Sequence, residues 1–229
     1  MRASRLAPSV AVLGTSALVG LAAAGCSSGT PTAAEAKSVT TPSASAAASA
    51  PTAAAKPATG LAAKLLTPAD LPAGWSTETS ATNPAMDTTC PVLNPAVWNA
   101  PLPQHVETDL SVGMTGPFLV EQIAGGDATQ VEKAWTSFTA AIPNCTTFTH
   151  AGSSGSSTFT VTRADFPQYG AASYSFTLGL QVSGGVSASG SIVVTRTSSA
   201  VVLVYLIGVS GVPKPTVEEI VTKAVAKSG

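Results

Sequence analysis

Between residues 61 and 229 the sequence predicts an α+β domain: one mostly antiparallel β-sheet, helices packed on one face, and a single disulfide. Three observations carry that expectation. Several segments alternate apolar and polar residues with period two, as a strand with one buried face does. Two longer segments change to helical period. Two cysteines, Cys90 and Cys145, fall within the domain and are left to pair with each other.

The elements follow in order. A short helical turn is expected at Thr67-Pro68-Ala69-Asp70, with Thr67 as cap and Pro68 at the first helical position, where no N–H is needed. In Val106 to Met114 the apolar residues Val106, Leu110, Val112 and Met114 alternate with Glu107, Asp109 and Ser111, which reads as a strand. Phe118 to Ile123 is a further strand. From Asp127 to Ile142 the period lengthens: Val131, Ala134, Trp135, Phe138 and Ile142 form one stripe, Asp127 caps, Gln130 completes a capping box, and Pro143 ends the helix. Ser157 to Arg163 is another strand. Ala172 to Val182 alternates throughout, and the pattern resumes at Val186, Ala188, Ile192 and Val194 after Ser183-Gly184-Gly185, a hairpin signal. Val201 to Ile207 is continuously apolar, which suits a central strand covered on both faces. The last helix is expected from Thr216 to Lys227. Thr216 caps it, Glu219 completes the box, and Val217, Ile220, Val221, Ala224 and Val225 form its stripe, with Lys223 and Lys227 near the negative end of the dipole.

The first sixty residues have a different character. Arg2 and Arg5 precede an apolar run from Val10 to Ala24, broken only by Thr15 and Ser16 and shorter than the roughly 20 residues a spanning helix needs. Leu21-Ala22-Ala23-Ala24-Gly25-Cys26 resembles a bacterial lipobox, with Ala23 where Leu is usual. Residues 1–25 are therefore read as a cleaved lipoprotein signal and Cys26 as the lipidated residue. The anchor would hold the protein on the outer face of the cytoplasmic membrane, its membrane partner, without a transmembrane helix. The alternative is an ordinary signal peptide cut near Ala24, with Cys26 a free thiol. Within residues 26–60 the chain from Ser27 onward has no aromatic, Leu or Ile, and Val39 is its one branched aliphatic. Such a segment cannot offset its ordering entropy, and Pro31, Pro42, Pro51 and Pro57 interrupt any helix. It reads as a disordered tether. A glycosylated or partner-binding stretch has the same composition.

Composition narrows the function. Of 229 residues 45% are hydrophobic and only 10% charged, with a net charge of −1 and no basic stripe, so nucleic acid is excluded as a partner. Four of the eleven bases and one of the twelve acids precede residue 61, which leaves the domain at −4. Its polar faces consist largely of Ser and Thr, which argues mildly against catalysis.

In an exported protein Cys90 and Cys145 are most simply a disulfide, joining the loop after Trp75 to the end of the Asp127 helix. A metal site is the rival reading and lacks ligands, because His105 and His150 belong to no close-spaced pair. No metal or cofactor is expected. A nucleophile elbow GxSxG and a Ser-x-x-Lys pair are both absent. A Ser-His-Asp arrangement would have to assemble around His105 or His150, both in expected loops, from distant partners. Glu218 and Glu219 open a helix, where the dipole accounts for them.

Leu65-Leu66-Thr67-Pro68-Ala69-Asp70-Leu71-Pro72-Ala73-Gly74-Trp75, then Cys90, then a helix ending in Ile142-Pro143-Asn144-Cys145-Thr146-Thr147-Phe148, resembles the PknH-type extracellular sensor domain of actinobacterial Ser/Thr kinases and its free-standing lipoprotein relatives. The resemblance implies an antiparallel sheet flanked by helices, a disulfide-stapled frame, a ligand-binding cleft and no catalytic activity. This chain departs from it in having one cysteine pair rather than two, and Gly170-Ala171 where Gly-Asp is frequent.

Trp98 and Tyr169, aromatic residues in expected loops, are the candidate ligand contacts; the competing and favoured reading is that they cover the edge of the core. The sequence thus points to a lipid-anchored, non-catalytic binding or sensing domain. Its ligand would be an envelope small molecule, lipid, glycan fragment or partner protein. An assembly protein that uses an exposed sheet face is the alternative, and a hydrolase the third.

Overall fold

Among the described residues eight segments extend into strands: β1 (Ser76–Thr77), β2 (Gln104–Ser111), β3 (Phe118–Gly125), β4 (Thr147–Gly152), β5 (Gly155–Arg163), β6 (Ala172–Val182), β7 (Val186–Arg196) and β8 (Ala200–Gly208). Two helices, α1 (Ala128–Ala141) and α2 (Lys214–Ser228), follow β3 and β8. The computed structural model describes residues 60–78, 88–152 and 155–229, so the signal, Cys26 and the tether to residue 59 lie outside the described residues. The strands form one antiparallel sheet in the order β1-β2-β3-β8-β7-β6-β5-β4. The last strand in sequence thus inserts beside β3 and joins the β2–β3 hairpin to the β4–β7 meander.

β8 organises the core. Val201, Leu203 and Ile207 point to one face, where they meet Val131, Ala134, Trp135 and Phe138 of α1 together with Phe176, Leu178, Ile192 and Val194. Val202, Val204 and Leu206 point to the other, against Val217, Ile220, Val221 and Ala224 of α2 and Leu110, Leu119 and Ile123. The antiparallel α+β class is as the sequence predicts. The placement of both helices on one face is not: α1 and α2 cover opposite faces. A strand apolar at odd and even positions has two faces to remove from water, and one helix cannot cover both.

Local signals explain most of the boundaries. Asp127 Oδ1 accepts from the Gln130 N–H at 2.8 Å, and Gln130 Oε1 accepts from the Asp127 N–H at 2.9 Å, the reciprocal box expected at the start of α1. Thr216, in contrast, caps nothing. α2 begins at Lys214 with Pro213 as cap, and the Thr216 N–H donates to the Pro213 carbonyl at 3.0 Å. Pro215 fits this first turn because its missing N–H is not required there. β2 stops at Ser111, before the expected end at Met114. Gly113 and Gly116 adopt φ of 68° and 82° in the turn to β3, so the apolar alternation runs off the sheet and Met114 is 98% exposed.

The expected disulfide is present: Cys90 and Cys145 are bonded with Cα atoms 4.5 Å apart. It fastens the loop after β1 to the 3-10 turn Ile142–Asn144 that ends α1. Val92, Leu93 and Trp98 then carry that loop onto the α1 face. Trp98 meets Phe138 edge to face at 6.1 Å, and its Nε1–H donates to the Pro91 carbonyl at 2.9 Å.

Candidate functional site

The two faces of β4–β7 differ in chemistry. The α1-facing positions include Phe148, Phe159, Val161, Phe176 and Leu178, and the alternate positions necessarily point the other way. Strand register arranges these alternate residues in rows. Thr149, Thr158, Gln181 and Ser187 form one; Thr147, Thr160, Gly179 and Ser189 the next; Thr162, Thr177 and Ser191 the third. Among the described residues this face of β4–β7 carries no charged side chain. The two cations of these strands turn to the α1 face: Arg163 lies 4.3 Å from the Tyr174 ring centroid, and Arg196 pairs with Glu132 of α1.

A cavity of about 550 Å³ opens where this hydroxyl face meets the loop after β5 and the chain entering α2. Thr177, Ser189 and Ser191 form its floor; Asp165, Phe166, Val212, Pro213 and Lys214 stand around it. Lys214 holds the rim together. Its Nζ donates to the Asp165 carbonyl at 2.6 Å, lies 5.0 Å from the Phe166 ring centroid and sits 3.7 Å from Glu218. Gly211, at φ 74°, makes the turn after β8, and its N–H donates to the Gly208 carbonyl at 2.9 Å. The cavity offers hydroxyl donors and acceptors on one side and an apolar wall on the other. Its two charged side chains are of opposite sign, and its ammonium is already engaged. These groups suit binding.

The aromatic pair singled out from sequence is not brought together. Trp98 is 1% exposed on the α1 face and Tyr169 is 8% exposed in the cluster on the α2 face. Trp98 backs a second, smaller cavity of about 260 Å³ beside Asn99, His105 and Glu107, where Gln122 donates to Glu107. The Tyr169 N–H donates to Ser173 Oγ at 3.0 Å, while its buried hydroxyl has no hydrogen-bond partner among the described residues. Burial pushes that phenol above its ordinary range, and the Glu218 carboxylate adds to the rise. His105 and His150 lie on β2 and β4 rather than in loops, six strand spacings apart across the sheet, and strand register aligns them with opposite ends of β6, at Ala172 and Val182. Among the described residues no group of three His, Cys, Asp or Glu is placed to hold a metal.

Sequence reading also passed over Glu121. It lies on β3 opposite Val204, fully buried on the α2 face. One oxygen accepts from the Leu66 N–H at 2.6 Å and the other has no hydrogen-bond partner among the described residues. This bond fastens a strap made of the 3-10 turns Gly60–Lys64 and Pro68–Asp70. Two cations complete the fastening: Lys64 Nζ donates to the carbonyls of Ser228 and Gly229 at 2.8 and 3.2 Å, and Lys227 Nζ to Asp70 at 2.5 Å. The hydrogen bond from Lys227 chiefly holds the Asp70 carboxyl down to about 2. Burial pushes Glu121 the other way, from 4.5 up to about 7, against the pull of the Leu66 N–H and of Lys227.

Because Glu121 binds its proton more tightly in the folded state, its contribution to stability is intact below pH 4.5, declines as pH rises to about 7, and is level above that. The loss amounts to about 3 kcal/mol. Glu121→Gln keeps an acceptor for Leu66 and removes the titration. Its urea midpoint is expected to change little across this window and to exceed that of the native protein at pH 8. A variant as pH-sensitive as the native chain would contradict the assignment.

Comparison of the sequence with known protein families and with characterised proteins gives no match. Among solved structures, the chain is similar to the extracellular domain of PknH from Mycobacterium tuberculosis, with a TM-score of 0.57 and 14% identity over 76% of this chain and 97% of that one. At this identity the likeness is one of fold.

Proposed function

We propose that this chain, which shares the fold of the PknH extracellular domain, is an extracytoplasmic binding or sensing module without catalytic activity, anchored by a lipid on Cys26 and holding its ligand in the cavity at the start of α2. The observation that carries the reading is the cavity itself. Its volume of about 550 Å³ falls within the usual range of ligand sites. Four separate chain segments build it, and Lys214 already pins its rim, so little ordering is left for a ligand to impose. The Cys90–Cys145 disulfide supports an oxidising compartment. No helix among the described residues is long and apolar enough to cross a membrane.

Mass spectrometry of the protein extracted from membranes in mild detergent tests both parts. Intact mass is expected to show an acylated N-terminal Cys26. Solvent is expected to release a stoichiometric compound that Thr177→Trp, which fills the cavity floor, no longer retains. An unacylated chain would remove the anchor. Absence of any compound, together with a protein cross-linked to the sheet face, would favour the assembly reading.

A further inference from the structure

The cavity does not end at its rim. Its floor residues Thr177, Ser189 and Ser191 belong to the rows of hydroxyls that continue across β6, β5 and β4. Neighbouring strands set the rows' members about 4.8 Å apart, and successive rows follow at about 6.8 Å along each strand. Threonine favours strands, so single threonines need no functional account. The arrangement as a whole is less ordinary, because β4 is an edge strand and exposed edges are commonly guarded by charge. Here the cations of the neighbouring strands turn to the opposite face.

The chemistry of this surface limits its occupant. A charge-free face offers no attraction to an anionic polymer or lipid headgroup. The hydroxyl rows hold no apolar side chain, and Val193 of the same face is buried in the cluster under α2, so the rows offer little to an acyl chain or to the apolar centre of a protein interface. Hydroxyls both donate and accept, so they match a partner whose own groups do the same. At one end the cavity adds what a sugar ring requires besides hydroxyls: an apolar wall, Phe166 and Pro213, for its C–H face, and the Asp165 carboxylate as an acceptor at its edge. We infer that the ligand is a neutral glycan, one sugar seated in the cavity and the following residues laid over the hydroxyl rows toward β4. The inference rests on the reading that this cavity is the binding site.

Affinity electrophoresis of the full chain in detergent tests it, with dextran, mannan or arabinogalactan in the gel, dextran sulfate as the anionic probe and phosphatidylglycerol mixed into the detergent micelles as the lipid one. At least one neutral polysaccharide is expected to retard the protein. That retardation should change little between about 0.05 and about 0.5 M salt, since no charge pair is involved. Thr177→Glu and Ser189→Glu, both at exposed positions, should weaken it about tenfold or more, while Glu107→Gln beside the other cavity leaves it unchanged. Retardation by none of the neutral polysaccharides, by dextran sulfate or phosphatidylglycerol alone, or without sensitivity to the two glutamates would overturn the inference. The two readings fail separately. A lipid or peptide retained by the native protein and lost in Thr177→Trp keeps the cavity as the site and removes the glycan.

Discussion

Gly190→Ala is expected to leave little folded protein. Gly190 pairs with Leu178 on one side and Ile207 on the other, in the middle of β7. A β-carbon placed there would lie 1.8 Å from the Leu206 carbonyl oxygen and 2.7 Å from the Ile207 Cα. Both are backbone atoms of β8, the strand that carries both halves of the core, so neither can yield without opening a ladder. Overpacking against side chains costs about 1–3 kcal/mol. Against backbone the cost should exceed about 4 kcal/mol, a large part of the roughly 5–15 kcal/mol that holds a domain together. The control lies one strand away. A β-carbon at Gly179 would find its nearest neighbour, Thr160 Cβ, at 3.9 Å, so Gly179→Ala should unfold within about 1 kcal/mol of the native protein. Urea midpoints decide the matter: similar values for the two variants would show that β7 and β8 approach less closely than described.

Reduction of the Cys90–Cys145 bond should have an effect of similar size. The bond closes a loop with a sequence separation of 55 residues, and on the chain-entropy model its loss costs about 4 kcal/mol. Part of the loss has a definite location. Residues 88–102 contain no strand and are held on the α1 face by this bond and by the Trp98–Phe138 contact, while the Trp98 bond to Pro91 braces the loop internally. Freed from Cys145, this loop is expected to exchange its amide hydrogens well before the sheet does. The measurement is urea unfolding with and without reductant, with Cys90→Ala/Cys145→Ala as control. Reductant should lower the native midpoint to that of the double variant and leave the double variant unmoved. A native midpoint insensitive to reductant would mean that the bond holds nothing the packing does not.

What could be read from the sequence depended on whether the signal was local. α1 was legible because its cap, box and stripe all lie within one segment, and the β6–β7 hairpin because Gly184 and Gly185, with φ of 108° and 90°, interrupt a strict alternation. α2 shows the limit of that logic. Thr216 and Glu219 satisfy a capping pattern, yet a proline pair allows the helix to start a few residues earlier, where Lys214 reaches Asp165 and Phe166 across the chain. The continuous run in β8 announced two buried faces but not which helix would cover each. β4 gave little warning, since Thr147-Phe148-Thr149-His150-Ala151 carries only one large apolar residue. The resemblance to the PknH-type domain, drawn from a short motif and two cysteines, agrees with the structural likeness in fold. The cavity was not legible at all. Asp165, Thr177, Ser189 and Lys214 are unremarkable in their own segments and acquire meaning only when strand register aligns the two hydroxyls and the loop after β5 meets the start of α2 beside them. Glu121 was hidden for a related reason: an acid on a strand reads as solvent-facing until something covers it.

The strap that joins the domain to the preceding chain also determines where mechanical load would travel. A pull arriving from the N-terminal side enters at Lys64 and Leu66. From there it passes to the end of α2 and to Glu121 on β3, an interior strand, so tension cannot begin by peeling an edge. Strands β4–β7 lie off that path. Load applied from the N-terminal side would therefore reach β3 and the end of α2 first, and would arrive at the cavity rim at Lys214 only along the length of that helix.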